Sequence, residues 1–337
     1  MKPSVAAPAA LLAAALLLVA CGEDDGVEQT AASAGDALAA PTEATLVLDF
    51  IPNAVHTGIY CARAEGLYED ANVELEIVEP SSTADTLRLI EAGEAEFGIA
   101  DGIDIATQID RGRGARGVMA LTQRPLGGLL TLQSSQVTDP SELEGRLVGV
   151  TGVPSDDAVL ETMVAAAGGD PAAVETVAIG FNGPQALLAG RVDAFTGFLV
   201  PDGAAVEARG RPVRSFPLDD FGGPAYPGLV VFSTEERITA EPELMAAFVG
   251  ATVAGYRATI EDPDRCLQAL IGEAAGLDDE LQRVQLDEYL PLFGDPTQVG
   301  AFDEGELAEF ADFLVASGLT EDPVSPERYA TGEFLPR

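Results

Sequence analysis

The chain has 337 residues, and its 56 acidic side chains against 18 basic ones give a formal net charge of −38. A protein this acidic is repelled by nucleic acid and by anionic lipid surfaces, which argues against either as a partner. Apart from Cys21 near the N-terminus, the chain has two cysteines and a single histidine, His56, and these cannot form a standard zinc cluster. No Gly-x-Ser-x-Gly motif accompanies His56, so the sequence does not predict a hydrolase triad.

The N-terminus predicts a signal peptide over residues 1–20. Lys2 supplies a positive charge, and an apolar run follows at 9–20. That run is too short to cross a hydrocarbon core, which needs about 20 apolar residues. The ending Leu-Val-Ala-Cys resembles a bacterial lipoprotein box, which implies cleavage before Cys21 and lipid on its thiol. The alternative is ordinary secretion with an incidental cysteine.

Residues 21–43 are predicted to be the lipidated Cys21 followed by a flexible tether. The segment is small and acidic, with too little apolar surface to form a core. We therefore expect a protein that is anchored to a membrane without spanning it. Roughly 290 residues remain for one large domain or two lobes. Cys61 and Cys266 can pair outside the cytosol or remain separate core thiols.

The remaining sequence alternates predicted strands with predicted helices, which is typical of βαβ units on a parallel sheet. The alternation starts at residue 45, restarts after 137–145, and gives way beyond residue 234 to helices alone. The predicted strands are 45–50, 73–80, 96–101, 146–152, 174–181, 192–198 and 228–234. The predicted helices are 56–68, 83–93, 103–112, 157–168, 183–190, 202–210, 242–260, 264–276, 279–290 and 303–317.

This order of elements indicates an α/β protein of the two-lobed, type II periplasmic-binding-protein fold with a helical C-terminal return. We expect residues 44–129 and 233–337 to form lobe 1 and residues 130–232 to form lobe 2. In open α/β sheets, ligands bind beyond the carboxyl ends of the strands. The loops that follow the predicted strands therefore hold the candidate site residues, facing a common cleft.

The loop after the first strand holds five candidate ligand-binding residues, which are Asp49, Phe50, Asn53, His56 and Thr57. Asn53 is suited to cap the following helix, and a cation is disfavoured in that helix's first turn, so the imidazole is predicted to be neutral. A neutral imidazole both donates and accepts, which matches the mixed edge of a heterocycle. Phe50 is a candidate stacking surface. Alternatively, Asn53 only caps, His56 only packs, and Phe50 belongs to the core.

Later loops add weaker candidates. Ser82 and Ser155 place hydroxyls at helix starts, where they can bind a polar ligand group or simply cap. Asp101 ends a strand and can accept a hydrogen bond from an amino group. Tyr226 lies between turn-forming residues and can cover a ring or fix a hinge.

Several blocks of the sequence resemble solute-binding proteins that serve ABC importers of thiamine pyrimidine precursors, from about residue 45 to residue 260. The most specific block is Pro52-Asn53-x-x-His56-Thr57-Gly58, and the others are shared with sulfonate, nitrate and taurine binders. The other blocks are "ADTLRLIEAGEAEFGIADGIDI", "PSELEGRLVGVTGVPSDDAVLETMV", "GPQALLAGRVDAFTGF" and "FGGPAYPGLVVFSTEERI". Riboflavin binders of the superfamily tend to carry an apolar residue in place of this histidine.

The resemblance implies a monomeric, extracytoplasmic lipoprotein without metal or cofactor, which delivers its small-molecule ligand to an ABC permease and its ATPase. It also implies that Phe198 and Asp202 contact the ring, with Asp202 in the place of a family glutamate. Phe50 stands where the family usually has tryptophan, and this chain has none. The alternatives are a riboflavin binder or a sulfonate- or nitrate-type binder. A remote alternative is an enzyme that makes the pyrimidine from its own histidine, which would need iron and a cysteine-rich motif.

Overall fold

The structure of the protein is a computed structural model, which describes residues 37–336. The predicted signal peptide, Cys21 and the tether up to residue 36 lie outside the described residues. Within them, short strands alternate with helices and a helical segment follows the last strand, so the predicted α/β class is confirmed. No helix in the described part of the chain is long and apolar enough to cross a membrane.

The strands fall into two five-stranded sheets. Their bounds are β1 Thr42–Val47, β2 Val73–Val78, β3 Phe97–Asp101, β4 Ala115–Ala120, β5 Gly127–Leu132, β6 Leu147–Val150, β7 Glu175–Ala178, β8 Ala194–Phe198, β9 Val213–Pro217 and β10 Leu229–Thr234.

The helices lie between the strands and after β10. Their bounds are α1 Thr57–Ala64, α2 Leu67–Asp70, α3 Thr83–Glu91, α4 Gly102–Asp110, α5 Pro154–Ala166, α6 Gly183–Leu188, α7 Leu199–Glu207, α8 Glu235–Ala240, α9 Pro242–Glu261, α10 Pro263–Glu273, α11 Asp279–Tyr289, α12 Glu304–Ala316 and α13 Pro326–Tyr329. The four helices predicted after the last strand correspond to α9, α10, α11 and α12, so that part of the prediction is confirmed.

The two sheets have the same internal plan. The first has the order β2-β1-β3-β10-β4, with β1 parallel to β2 and β3, and β10 antiparallel to its neighbours β3 and β4. The second has the order β7-β6-β8-β5-β9, with β6 parallel to β7 and β8, and β5 antiparallel to its neighbours β8 and β9. Three parallel strands therefore lie at one side of each sheet, and their carboxyl ends share one edge.

Three strands were not predicted, namely β4, β5 and β9. Arg116 and Gly117 interrupt the apolar run of β4, Gly127 and Gly128 make the start of β5 look like a turn, and β9 is short and ends at Pro217. The predicted lobe boundary at 129/130 falls inside β5, and the boundary at 232/233 falls inside β10. The chain changes sheets between β4 and β5 and again between β9 and β10.

The C-terminal helices hold the segment that follows β1. Gly255 of α9 lies against Gly58 of α1, where a Cβ atom at Gly255 would collide with the Gly58 carbonyl oxygen. The missing side chains let the two helices approach closely. The Tyr256 hydroxyl then donates to the backbone oxygen of Val55 at 2.8 Å. The turn that leads into α1 is therefore fixed from behind by α9.

A disulfide also joins these helices. Cys61 of α1 is bonded to Cys266 of α10, with their Cα atoms 4.8 Å apart. The sequence left the pairing of these cysteines open, and the structure decides it. The bond links residues 205 positions apart, so it ties the first part of the first sheet to the C-terminal helices.

We expect replacement of both Cys61 and Cys266 by alanine to lower the free energy of unfolding by about 2–5 kcal/mol, because the unfolded chain regains the entropy that a long cross-linked loop removes. Urea unfolding of the wild type and the double variant, each with and without dithiothreitol, measures the effect. The reductant should destabilise the wild type and leave the double variant unchanged. An equal effect of reductant on both proteins would contradict the prediction.

Candidate ligand-binding cleft

A cleft lies where strand ends of both sheets meet. The first sheet contributes Asp49, after β1, and Asp101, at the end of β3. The second sheet contributes Thr151, after β6, and Phe198, at the end of β8. Because β5 runs antiparallel, its first residue, Gly127, lies at the same edge. The cleft encloses about 610 Å³, including space open to solvent.

The turn after β1 fixes one wall of the cleft through His56. The backbone N–H of Asn53 donates to Nδ1 of His56 at 3.2 Å, and Nε2 of His56 lies 2.9 Å from Oδ1 of Asp49. Since a backbone N–H can only donate, Nδ1 must accept, and the ring is a neutral imidazole with its proton on Nε2. His56 thus donates to Asp49, which agrees with the predicted neutral state. The imidazole is fully buried, with 0% of its surface exposed.

The second carboxylate oxygen of Asp49 has no partner. Asp49 lines the cleft and is only 3% exposed. Its Oδ1 accepts from His56, whereas Oδ2 finds no donor among residues 37–336. A buried acceptor without a donor costs about 1–3 kcal/mol, and more when it is charged. The cleft therefore holds an acceptor that a ligand N–H group can satisfy.

Each sheet contributes one phenylalanine ring, and therefore one apolar surface, to the cleft. Phe50 follows β1 and Phe181 follows β7, and both line the cleft with their ring centroids 4.5 Å apart and their planes at 77°. Both side chains are only partly buried. Aromatic pairs favour this edge-to-face geometry, and each ring can also stack on a planar ligand. Phe198 lines the cleft beside them.

On the opposite wall, Asp156 is committed to the turn that starts α5. Its carboxylate accepts from the backbone N–H groups of Thr151 at 2.8 Å and Gly152 at 2.9 Å, and from the Thr196 hydroxyl at 2.9 Å. The Thr151 hydroxyl donates to it as well. With so many donors, Asp156 is a structural residue that holds the loop after β6 beside β8.

Asp104 links the elements of the two sheets directly. It lies in α4, after β3, and accepts from the Ser155 hydroxyl at 3.1 Å and the Ser155 backbone N–H at 3.3 Å, at the start of α5. Burial, and next the Asp156 carboxyl, raise the pKa of Asp104 to about 7. Ser155 was predicted as a ligand residue or a cap, and here it donates to a carboxylate.

Asp101 and Asp202 are also acids with raised pKa values. Asp101 caps α4 by accepting from the Ile103 N–H at 2.8 Å, and burial, followed by the charge of Asp104, raises its pKa well above the ordinary value. Asp202 accepts from the Phe198 N–H at 3.0 Å, and burial raises its pKa to about 7. Among the described residues that line the cleft, none is lysine, arginine or histidine.

The predicted ligand residues divide into two groups. Six of them line the cleft, namely Asp49, Phe50, Asp101, Ser155, Phe198 and Asp202. The other five lie outside its lining, namely Asn53, His56, Thr57, Ser82 and Tyr226. For the six, ligand contact stays a prediction.

Ligand contact by the other five likewise stays a prediction, although the structure places them outside the cleft lining. Asn53 and His56 lie behind Asp49 and orient it, and the Thr57 hydroxyl donates to the Ala54 backbone oxygen at 2.8 Å. Tyr226 is fully buried and stacks on Phe310, with centroids 4.3 Å apart. Ser82 precedes α3 without a side-chain cap bond and is not part of the cleft wall.

Sequence reasoning missed Phe181, Asp104, Asp156 and Thr196. Phe181 had a readable signal, because it follows a strand as Phe50 does. Asp104 and Asp156 looked like acidic residues in the first turn of a helix, which is a common position for a solvated carboxylate. Thr196 lies inside β8, where nothing in the local sequence indicates that its hydroxyl donates to Asp156.

Solved structures show the class to which this fold belongs. The aliphatic sulphonate binding protein SsuA from Escherichia coli aligns with a TM-score of 0.68 at 16% identity, over 86% of this chain and 92% of that one. The periplasmic nitrate-binding protein NrtA from Synechocystis aligns with a TM-score of 0.60 at 14% identity, over 73% and 70%. The chain therefore has the periplasmic-binding-protein fold, as predicted.

The sequence identifies the family. A family model described as NMT1/THI5 like matches residues 53–266, so the chain belongs to the NMT1/THI5-like family. It is 28% identical to the formylaminopyrimidine-binding protein of Halalkalibacterium halodurans, over 94% of this chain and 95% of that protein. It is 27% identical to the riboflavin-binding protein RibY of Chloroflexus aurantiacus, over 95% of each. It is 22% identical to a 4-amino-5-hydroxymethyl-2-methylpyrimidine phosphate synthase of Schizosaccharomyces pombe, over 83% and 84%.

The raised pKa of Asp202 predicts a stability that falls with pH. Its carboxyl binds a proton in the folded state up to about pH 7, whereas in the unfolded chain it ionises near 3.8. Between pH 3.8 and about pH 7 the folded protein holds a proton that the unfolded chain has lost. The free energy of unfolding therefore decreases as the pH rises through this range. We expect Asp202→Asn to reduce the fall in unfolding free energy between pH 5 and pH 8, by on the order of 2 kcal/mol.

Urea unfolding at both pH values measures this difference. Asp312→Asn is the matched control, because Asp312 is exposed on α12 and the change removes the same charge from the surface. The control should keep the wild-type pH dependence. An Asp202→Asn protein with that same dependence would contradict the assignment.

Proposed function

We propose that this protein is the extracytoplasmic solute-binding component of an ABC importer, and that it captures a small aromatic heterocycle, an aminopyrimidine precursor of thiamine. One observation carries the proposal: Phe50 and Phe181, from loops of the two sheets, meet at 4.5 Å in a cleft that is also lined by Asp49, whose Oδ2 has no donor among residues 37–336. Aromatic faces receive a planar ring, and a carboxylate accepts from an amino group or ring N–H. The formylaminopyrimidine-binding relative supports the ring class.

Binding without catalysis is the better-supported role. His56 is buried, and both of its ring nitrogens are bonded, so it acts as a support for Asp49. Cys61 and Cys266 are joined to each other and offer no thiolate to a metal. Some relatives are named as synthases, and an enzyme that uses its own histidine would need that side chain exposed to its reactants. We therefore propose a binding protein without cofactor or metal.

An anionic ligand fits the cleft poorly. Sulfonate and nitrate need positive donors, and the described lining offers acids but no basic side chain. Asp49, whose Oδ2 has no donor among residues 37–336, would repel such a ligand at close range. Riboflavin remains the second candidate, because it is an uncharged ring system in its isoalloxazine part and a riboflavin-binding relative matches along 95% of this chain.

We further propose the cellular arrangement that such a role requires. The protein is anchored through lipid on Cys21, acts as a monomer, and delivers its ligand to a permease and its ATPase. Lobe 1 comprises the first sheet with the C-terminal helices, and lobe 2 comprises the second sheet. The two chain crossings, between β4 and β5 and between β9 and β10, then act as the hinge on which the lobes close.

A thermal-shift screen tests the function. The panel contains aminopyrimidines, thiamine, riboflavin, purines, sulfonates and nitrate. We expect aminopyrimidines to raise the melting temperature, since ligand at a hundredfold excess over Kd stabilises the folded state by about 2.7 kcal/mol. A shift with riboflavin alone would favour the second candidate, and a shift with sulfonates or nitrate would contradict the assignment of the cleft.

Two phenylalanine variants control the screen. Phe181→Ala should weaken binding of the active compound roughly 10- to 100-fold, because it removes one stacking face. Phe221→Ala is the matched control, since Phe221 packs on Phe216 at 5.8 Å, outside the cleft lining. Equal affinities of the two variants would show that the ligand binds elsewhere.

We expect His56→Ala to weaken the same ligand roughly tenfold or more without any direct contact, because Asp49 loses the donor that orients it. His56→Gln should retain much of the affinity, since its amide can accept from Asn53 and donate to Asp49. Isothermal titration calorimetry gives both values. An unchanged affinity in the folded His56→Ala protein would refute the positioning role.

A further inference from the structure

The charges around the cleft are not balanced. Five carboxyl groups line it, and within residues 37–336 no basic side chain joins them in the lining. They belong to Asp49, Asp101, Asp104, Asp156 and Asp202. His56, the basic side chain behind this wall, is neutral because Nδ1 accepts from a backbone N–H. Arg124 pairs at 3.2 Å with Asp219, which is likewise outside the lining.

Most of these acids are already committed to protein donors. Asp156 serves the turn that starts α5, Asp104 binds Ser155, and Asp202 binds the Phe198 N–H. Asp101 caps α4. Asp49 differs, because its Oδ2 is buried, belongs to a residue that lines the cleft and has no donor in the described chain. It is the carboxylate best placed to receive a ligand.

We infer that the ligand of this cleft is an aromatic ring that carries a positive charge, received by the free oxygen of Asp49 and flanked by the faces of Phe50 and Phe181. A neutral amino group would satisfy the same oxygen, but the charge of Asp49 would stay without a positive partner, because His56 is neutral. A cation satisfies the oxygen and the charge together, and the two phenyl faces attract it as well. The inference rests on the proposed function and narrows its ligand class.

Within the described cleft, the negative charge of the carboxyl groups is otherwise reduced only by the protons that they bind. Burial raises the pKa of Asp101 well above its ordinary value and raises the pKa values of Asp104 and Asp202 to about 7, so Asp104 and Asp202 are partly protonated near neutral pH. Burial also raises the pKa values of Tyr226 and Tyr329, whose phenols stay protonated. A cation that binds among them makes ionisation easier and releases protons. Its affinity should therefore rise between pH 6 and pH 8, whereas a neutral ring should not gain.

Two compounds that share one ring test the inference. Both are 4-amino-2-methylpyrimidines; one carries a 5-aminomethyl group, which is an ammonium ion at pH 7, and the other a neutral 5-hydroxymethyl group. Titration calorimetry of the full-length protein at 50 mM salt, in two buffers of different ionisation enthalpy, gives affinity and proton release for each. We expect the cation to bind at least about tenfold tighter and to release protons.

Asp49→Asn tests whether Asp49 is responsible, because asparagine keeps one acceptor for His56 but loses both the charge and the free acceptor oxygen. The variant should remove most of the preference for the cation, and Asp312→Asn, on the exposed face of α12, should keep it. Equal affinities of the two compounds for the wild type would overturn the inference and leave the proposed function standing. Binding of neither compound would refute the proposed function itself. A preference that survives Asp49→Asn would overturn the assignment to Asp49.

Discussion

The cleft depends on one imidazole that accepts on one side and donates on the other. The backbone N–H of Asn53 donates to Nδ1 of His56, and the Nε2–H of His56 donates to Oδ1 of Asp49 at 2.9 Å. Because the imidazole is rigid and hydrogen-bonded at both nitrogens, the conformation of the backbone turn fixes the orientation of the Asp49 carboxylate. Val55, in the same turn, is held from behind by Tyr256 of α9. The C-terminal helices thereby position a side chain in the cleft that they do not themselves line.

The sequence predicted the parallel part of each sheet and the long helices well, for a physical reason. The predicted strands are short runs of apolar or alternating residues between helical segments, and a surface helix has a clear apolar stripe, so both have local signatures. The strands β4, β5 and β9 lack such signatures. Their pairing partners, β10 and β8 among them, lie far away in the chain. The repeated sheet plan became visible only through these pairings.

For the site, the sequence likewise predicted which positions lie near strand ends but not the direction in which each side chain points. That functional residues follow the strands is a property of α/β topology, and Asp49, Phe50 and Asp101 were predicted on that basis, whereas Phe198 and Asp202 were predicted from the family resemblance. Which way a side chain turns at such a position is decided by distant packing. Tyr226 turns away from the cleft because Phe310 of α12 receives it. Phe181 turns into it and meets Phe50, a contact between residues far apart in the chain that no local pattern encodes.

The acidic residues act on a charged ligand at long range, through the net charge, and at short range, within the cleft. Salt screens the first effect more strongly than the second. The net charge of −38 draws cations from solution, but surface charges are screened beyond ~8 Å at physiological ionic strength. The carboxylates of the cleft are buried, so their attraction persists where the surface field has faded. If the cleft binds the ring that we propose, Asp49 selects for charge at the same place where Phe50 and Phe181 select for planarity, and it disfavours an anion of the same shape.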